Sequence, residues 1–184
     1  MFNLKFFGTV VLVIASLFMV PCHTAYGQMH PVAKSSSLKF SIKNFGFRVS
    51  GSFAAPEGDI RFNPDSLSSA YFHMTVKSTS INTDNESRDS HLRESDYLDV
   101  EHHPVMKFTS DQVRSLSKGE SFEVAGKLTI KNKTQQIIVP FKAQKSGAGY
   151  IFTGAFKMKR KDFEVGGSST ISDELTVELQ VLAQ

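Results

Sequence analysis

From Leu38 onward, apolar residues recur at every second position, in short runs separated by turn residues. A period of two places alternate side chains on opposite faces of an extended strand. Leu38, Phe40 and Ile42 alternate with lysine and serine. After a turn or bulge at Asn44 and Gly46, Phe47, Val49 and Phe53 continue the pattern around Gly51. Ala54-Ala-Pro-Glu-Gly58 reads as a turn, and Ile60 with Phe62 as a short strand closed by Asn63-Pro-Asp65. Phe72, Met74 and Val76 oppose Tyr71, His73, Thr75 and Lys77. Met106 and Phe108 share a face with Ser110. Phe122, Val124, Leu128 and Ile130 fall on even positions; Ile137, Val139 and Phe141 fall on odd ones. Phe152, Phe156 and Met158 are even again, and Leu175, Val177, Leu179 and Val181 are odd. Ser117-Lys-Gly119, Lys131-Asn-Lys133, Ser146-Gly-Ala-Gly149 and Gly166-Gly-Ser-Ser169 supply turns between runs. Strands joined this closely pair antiparallel, because a parallel crossover needs about a dozen residues. Eight or nine strands in this arrangement predict an all-β domain, a sandwich or a barrel.

One stretch, Arg88 to Phe108, departs from the alternation. It is dense in charge and holds His91, His102 and His103. Thr83-Asp-Asn-Glu86 has capping-box spacing, which predicts a helix from about Asp84 to Glu94. Leu92 is its only apolar residue, so the helix buries little and lies outside the β structure or across an open end of it.

The beginning of the chain alters the picture. Met1 to Lys5 is a short basic segment, Phe6 to Val20 is apolar and uncharged, and Ala25-Tyr-Gly27 offers small residues for a peptidase. This is the pattern of a signal peptide over 1–27, too short to span a bilayer, with Gln28 as the first mature residue. The lone Cys22 lies in that leader after Pro21, where a lipoprotein signal has a small residue. The mature chain then lacks cysteine, which excludes disulfides, thiol nucleophiles and thiolate metal sites. Residues 28–36 are polar and read as a flexible lead-in; 37–184 form the domain. Without Lys5 there are 20 basic and 18 acidic residues, and no basic run reaches five, which argues against nucleic acid as a partner.

Candidate chemistry is sparse. His102 and His103 are neighbours and, in an extended segment, point to opposite faces, so a shared metal ion is not expected. There is no Gly-x-Ser-x-Gly and no phosphate-binding loop. Asp89 with His91 is the one acid–histidine neighbourhood that a hydrolase reading has to use. Arg88, Asp89 and Arg93 read more naturally as pins, because a guanidinium bridges carbonyls and carboxylates with several donors at fixed angles. The larger signal is the 12 phenylalanines and 3 tyrosines that follow the leader, most of the phenylalanines on apolar strand faces. They build either a packed core or the wall of an apolar cavity, since an eight-stranded barrel is just wide enough for one small ligand. The candidate lining residues in the first half are Phe40, Ile42, Phe72, Met74, Val76 and Phe108. In the second half they are Phe122, Leu128, Ile137, Val139, Phe156, Val177 and Leu179.

Several motifs in order resemble the YceI-like domain. They are Val49-x-Gly51-x-Phe53, Gly58-x-Ile60-x-Phe62-x-Pro64 and Ser80-Ile-Asn-Thr83; then Arg88-Asp-x-His91-Leu-Arg93-x-x-Asp96-Tyr-Leu-Asp99, His103-Pro104 and Phe108-x-Ser110. Gly126-x-Leu128-Thr-Ile130 with Thr134 and Pro140, Arg160-x-Asp162-Phe163 and Ile171-Ser-Asp173 complete the series. The resemblance implies an extended antiparallel eight-stranded lipocalin-like barrel with one short helix in a long central connection. It also implies a periplasmic or secreted, non-catalytic protein that binds a polyisoprenoid or similar amphiphile, an isoprenoid lipid or quinone, without a metal. A fully packed secreted interaction module is the alternative, and a homodimer is compatible with either. Asn132 and Glu164 stand where the family often has glycine, which suggests a left-handed turn at Asn132 and a carboxylate near the ligand region at Glu164.

Overall fold

Nine strands form one antiparallel sheet in a computed structural model that describes residues 27–117, 121–167 and 170–184. The leader up to residue 26, residues 118–120 and the pair Ser168–Ser169 lie outside the described residues, and with them part of the turns predicted at Ser117-Lys-Gly119 and Gly166-Gly-Ser-Ser169. The strands are β1 (Ser37–Asn44), β2 (Phe47–Phe53), β3 (Glu57–Arg61), β4 (Tyr71–Lys77), β5 (Val105–Ser117), β6 (Ser121–Ile130), β7 (Lys133–Ser146), β8 (Gly149–Lys159) and β9 (Ile171–Ala183). Their spatial order is β2-β1-β9-β8-β7-β6-β5-β4-β3. The all-β, lipocalin-like reading therefore holds, with nine strands in place of eight. The short Ile60 run is among them as β3, which pairs along its whole length with β4.

The order has a geometric consequence. β2 and β3 are the two edges of the sheet, yet only Ala54, Ala55 and Pro56 separate them in the chain. So short a link spans at most about 15 Å. The sheet must curl until its edges nearly meet, and the result is a barrel with a seam. Each edge is covered by a single residue instead of by the other edge: Asn82 exchanges two backbone hydrogen bonds with Ser52 of β2, and Met29 does the same with Ile60 of β3. This corrects the expectation of a flexible lead-in. Met29 is buried, Pro31 bridges to Ala183, and His30 exchanges backbone bonds with Gln184, so 29–32 is pinned across the seam.

The inward face follows the alternation: even positions in β1, β4, β6 and β8, odd ones in β2, β7 and β9. β5 changes parity midway. Ser110 pairs with Gly126 and Gln112 with Ala125, leaving Asp111 as a bulge, so Phe108 and Val113 both face inward. A Cβ at Gly126 would lie 2.5 Å from the Thr109 carbonyl oxygen, so the bulged strand closes over this position only if it carries no side chain.

The helix, α1 (Glu86–Arg93), falls within the predicted span, but its cap differs. Asn85, not Thr83, caps it, accepting from the Arg88 N–H at 2.9 Å. The Thr83 hydroxyl is engaged elsewhere, donating to the buried Asp89 carboxylate and accepting from Arg88 Nε. α1 buries little apolar surface, as its composition predicts. The turns around it bury more, since Ile81 and Leu98 belong to a core cluster.

Candidate functional site

Two buried clusters occupy the barrel, and they differ in kind. One is aromatic. Phe62 is fully buried, and the rings of Phe72, Phe122, Phe141, Tyr150 and Phe152 surround it at centroid distances of 5.1–6.3 Å. The other, smaller cluster is built from Ile81, Leu98, Met106, Ile130 and Phe163, largely on the side of the long connection. Between them lies a cavity of about 320 Å³, at the lower end of the range for small-molecule sites. Its middle walls are only partly buried side chains, including Met74, Phe108, Phe156 and Leu179. The choice between packed core and open interior resolves into both, at different heights of one barrel.

Twelve of the thirteen lining candidates border this cavity. Phe40, Ile42, Phe72, Met74, Val76 and Phe108 do so from the first half, and Leu128, Ile137, Val139, Phe156, Val177 and Leu179 from the second. Phe122 does not. It is 2% exposed, edge-on to Phe62 at 5.1 Å and stacked on Phe141 at 5.5 Å. Phe122 has the inward parity but sits at the start of β6, at the height of the aromatic plug. Alternation specifies the face of a side chain and not its height in the barrel.

Polar groups gather at the end of the cavity away from the plug. Arg88 donates to the Thr83 hydroxyl and carbonyl oxygens, both at 2.7 Å. Arg93 donates to the Thr79 and Ile81 carbonyls at 3.0 and 2.9 Å. Both guanidiniums thus pin α1 to the segment 79–83 of the same connection, and that segment in turn meets the barrel where Asn82 pairs with Ser52 of β2. Asp89 turns to Thr83, while His91 faces Glu94 at 3.0 Å, so the acid–histidine pair does not form.

Arg160 was not singled out as a site residue. It is 5% exposed, borders the cavity, and donates to the carbonyls of Val165, Gly166, Ile171 and Ser172 at 2.6–3.0 Å. One guanidinium thereby ties together the segment between β8 and β9. Its only signal in the sequence is the Arg-x-Asp-Phe motif. Val49, Phe53, Met158 and Leu175 also border the cavity, and parity alone would have found them.

Both glycine-replacing positions differ from expectation. The left-handed residue of the β6–β7 turn is Lys131 (φ 55), not Asn132. The Lys131 ammonium donates to the Ser95 carbonyl at 2.9 Å, which anchors the turn to the connection. Glu164 is itself left-handed (φ 54), a conformation that glycine adopts at least cost. Its carboxylate pairs with Lys133 at 2.8 Å and does not border the cavity, so it neither narrows nor polarises it.

The histidines of the connection also depart from the extended geometry. The chain turns at Asp99 (φ 47), and both His102 (2.8 Å) and His103 (3.7 Å) approach the Asp99 carboxylate. The hydrogen bond from His102 holds Asp99 below its ordinary 3.8, assisted by the charges of His102, His103 and Lys131. The same bond, with the Asp99 charge, raises His102 above 6.5. A raised histidine contributes stability in full below its unfolded value and loses it as pH rises through the folded value. A lowered carboxyl contributes in full above its unfolded value and loses it as pH falls through the folded one. The pair therefore helps most between about 3.8 and 6.5. The melting temperature is expected to decline slightly as pH rises through neutrality, and His102→Ala to flatten that limb. An unchanged slope in the variant, measured by thermal melts across pH, would assign the decline to other groups.

The YceI-like domain profile matches residues 30–183. A UPF0312 protein of Vibrio cholerae is 27% identical over 157 residues, covering 78% of this chain and 80% of the relative. A UPF0312 protein of Photorhabdus laumondii is 32% identical over 131 residues and covers 67% of each. Among solved structures, BcnA of Burkholderia cenocepacia superposes with a TM-score of 0.76 at 24% identity, over 82% of this chain and 98% of that one. A polyisoprenoid binding domain from Saccharophagus degradans superposes with a TM-score of 0.66 at 15% identity, over 85% and 97%. At these identities the two structural likenesses are likenesses of fold.

Proposed function

The chain belongs to the YceI-like domain family, and from that premise we propose that it is a non-catalytic binding protein for a polyisoprenoid or similar amphiphile, a quinone included. The observation that carries this reading is the cavity between the two clusters, bordered by apolar side chains from each of the nine strands. Each methylene buried there contributes roughly 0.8 kcal/mol, so a long hydrocarbon chain binds without polar anchors along its length. The polyisoprenoid binding domain with the same fold supports the same ligand class.

In this reading the head group lies at the polar end. Asn44 borders the cavity there, and its side-chain oxygen is buried with no hydrogen-bond partner among the described residues. A buried acceptor without a donor is costly, and a ligand hydroxyl would satisfy it. The leader motivates the further proposal that the protein is exported and works after removal of residues 1–27.

Polyprenol added at about 100 times its dissociation constant stabilises the native state by about 2.7 kcal/mol. For a domain of this size that raises the melting temperature by roughly 5–10 °C. Solvent extraction of natively purified protein, followed by mass spectrometry, is expected to yield an isoprenoid lipid. Absence of both the shift and the extracted lipid would favour a ligand-free interaction module.

A further inference from the structure

The two most exposed large apolar side chains among the described residues sit together. Phe45 is 73% exposed and Phe47 78%, at the tip of the β1–β2 hairpin. Asn44 pairs with Phe47, so the loop is the two-residue segment Phe45-Gly46, with φ of 49 and 81. Positive φ at both positions is the type I′ arrangement, for which Asn-Gly is the preferred sequence. A bulky aromatic at positive φ is an outlier. Here Phe45 occupies a strained position and yet its ring is mostly in solvent. Neither turn geometry nor core packing accounts for phenylalanine at this site, and backbone strain of this kind clusters where function requires it.

Two further features indicate what meets the tip. Phe47 lies on the same face of β2 as Val49 and Phe53, which border the cavity, so the apolar face continues from the cavity wall to the outer end of the hairpin. The hairpin, 37–53, carries Lys39, Lys43 and Arg48 and no acidic residue. Lys43 and Arg48 are cross-strand partners directly behind the tip, and neither has an ion-pair partner among the described residues. On the neighbouring strand, the two acids nearest the tip are engaged, Glu174 with the Lys157 ammonium and Asp173 with the Lys161 N–H, while Glu178 lies farther down, opposite Lys39.

We propose that the β1–β2 tip is a docking element for the surface of an anionic lipid bilayer. Phe45 and Phe47 enter the interfacial layer, where aromatic rings are favoured, and Lys43 and Arg48 meet the anionic headgroups. A second copy of this chain fits the tip less well, because a two-fold contact would bring the same cations together. Docking rests on the tip alone and stands apart from the ligand reading, although it would hold the polar end of the cavity, marked by Asn44, beside a lipid surface.

The chain contains no tryptophan, so Phe45→Trp supplies a single fluorescent reporter. With vesicles of phosphatidylcholine containing phosphatidylglycerol, its emission is expected to shift to the blue. Binding should be about tenfold or more tighter than to pure phosphatidylcholine and should weaken with added salt. Phe45→Asn restores the preferred turn residue, so it is expected to raise the melting temperature while reducing co-sedimentation of the protein with anionic vesicles by about tenfold or more. Lys43→Glu with Arg48→Glu should remove the preference for anionic vesicles at an unchanged melting temperature. The proposal is overturned by equal binding to both vesicles, by no blue shift on either, or by undiminished binding of Phe45→Asn. A lowered melting temperature in Phe45→Asn would also sink it, since Phe45 would then serve the fold. So would a blue shift that grows with protein concentration in the absence of vesicles, which would assign the tip to self-association. The vesicles contain no isoprenoid, so failure here leaves the cavity reading intact, and loss of isoprenoid binding leaves docking intact.

Discussion

Phe62→Ala is expected to lower the unfolding free energy by about 3–5 kcal/mol, near the upper end of that range. The ring is fully buried and has five aromatic neighbours, four of them edge-on, so truncation removes hydrophobic transfer energy and several favourable quadrupole contacts together. The neighbours cannot collapse into the void, because Phe72, Phe122, Phe141 and Phe152 are held on four different strands. Against a total stability of about 5–15 kcal/mol this is a large fraction. The melting temperature should fall by roughly 10–20 °C. Phe62→Leu, which keeps most of the volume, should lose less. A loss under about 1.5 kcal/mol for the alanine variant in denaturant titration would mean that the plug is loosely packed and that the barrel does not depend on it.

Phe108→Glu tests the other half of the barrel. Phe108 stands in the wall of the cavity, only partly buried, opposite Leu128 across β5 and β6. Replacing its ring with a carboxylate removes contact with about three or four ligand methylenes, or roughly 2.5–3 kcal/mol. Affinity for a polyprenol should therefore fall about a hundredfold. Stability should fall by less than in Phe62→Ala, because an open cavity lets water reach the new charge. Isothermal titration and thermal melting of the same variant separate the two effects. A large loss of stability with undiminished ligand binding would reverse the assignment, making Phe108 core and placing the ligand elsewhere.

Much of this arrangement was legible before any coordinates, and the reason is local. The direction of a side chain in a strand depends on position modulo two, so Phe40, Met74, Leu128, Val177 and their like could be assigned to one face from spacing alone. The Arg88 and Arg93 pins could be anticipated because a long polar connection with one apolar helical residue cannot hold itself down by packing. Other features depend on residues far apart in the chain. Asp111 reads as an ordinary strand residue, and only the successive pairs Ser110–Gly126 and Gln112–Ala125, which leave it without a partner, make it a bulge that reverses the parity of β5. Met29 looked like part of a loose lead-in because the edge of β3 that it covers exists only once the sheet has curled.

The alternation is written in the chain, and with it an antiparallel β domain with a greasy interior, a polar connection carrying one short helix and the motifs of one family. Long-range pairing and packing decide that the curled sheet keeps a seam, that Phe122 belongs to an aromatic plug while Phe108 borders a cavity, and that Arg160 ties the loop at the polar end. The physical reason is that alternation is set by neighbouring backbone dihedrals, whereas height in the barrel is set by registers accumulated across nine strands. Whether a given level is filled depends on how many large rings those registers bring together there.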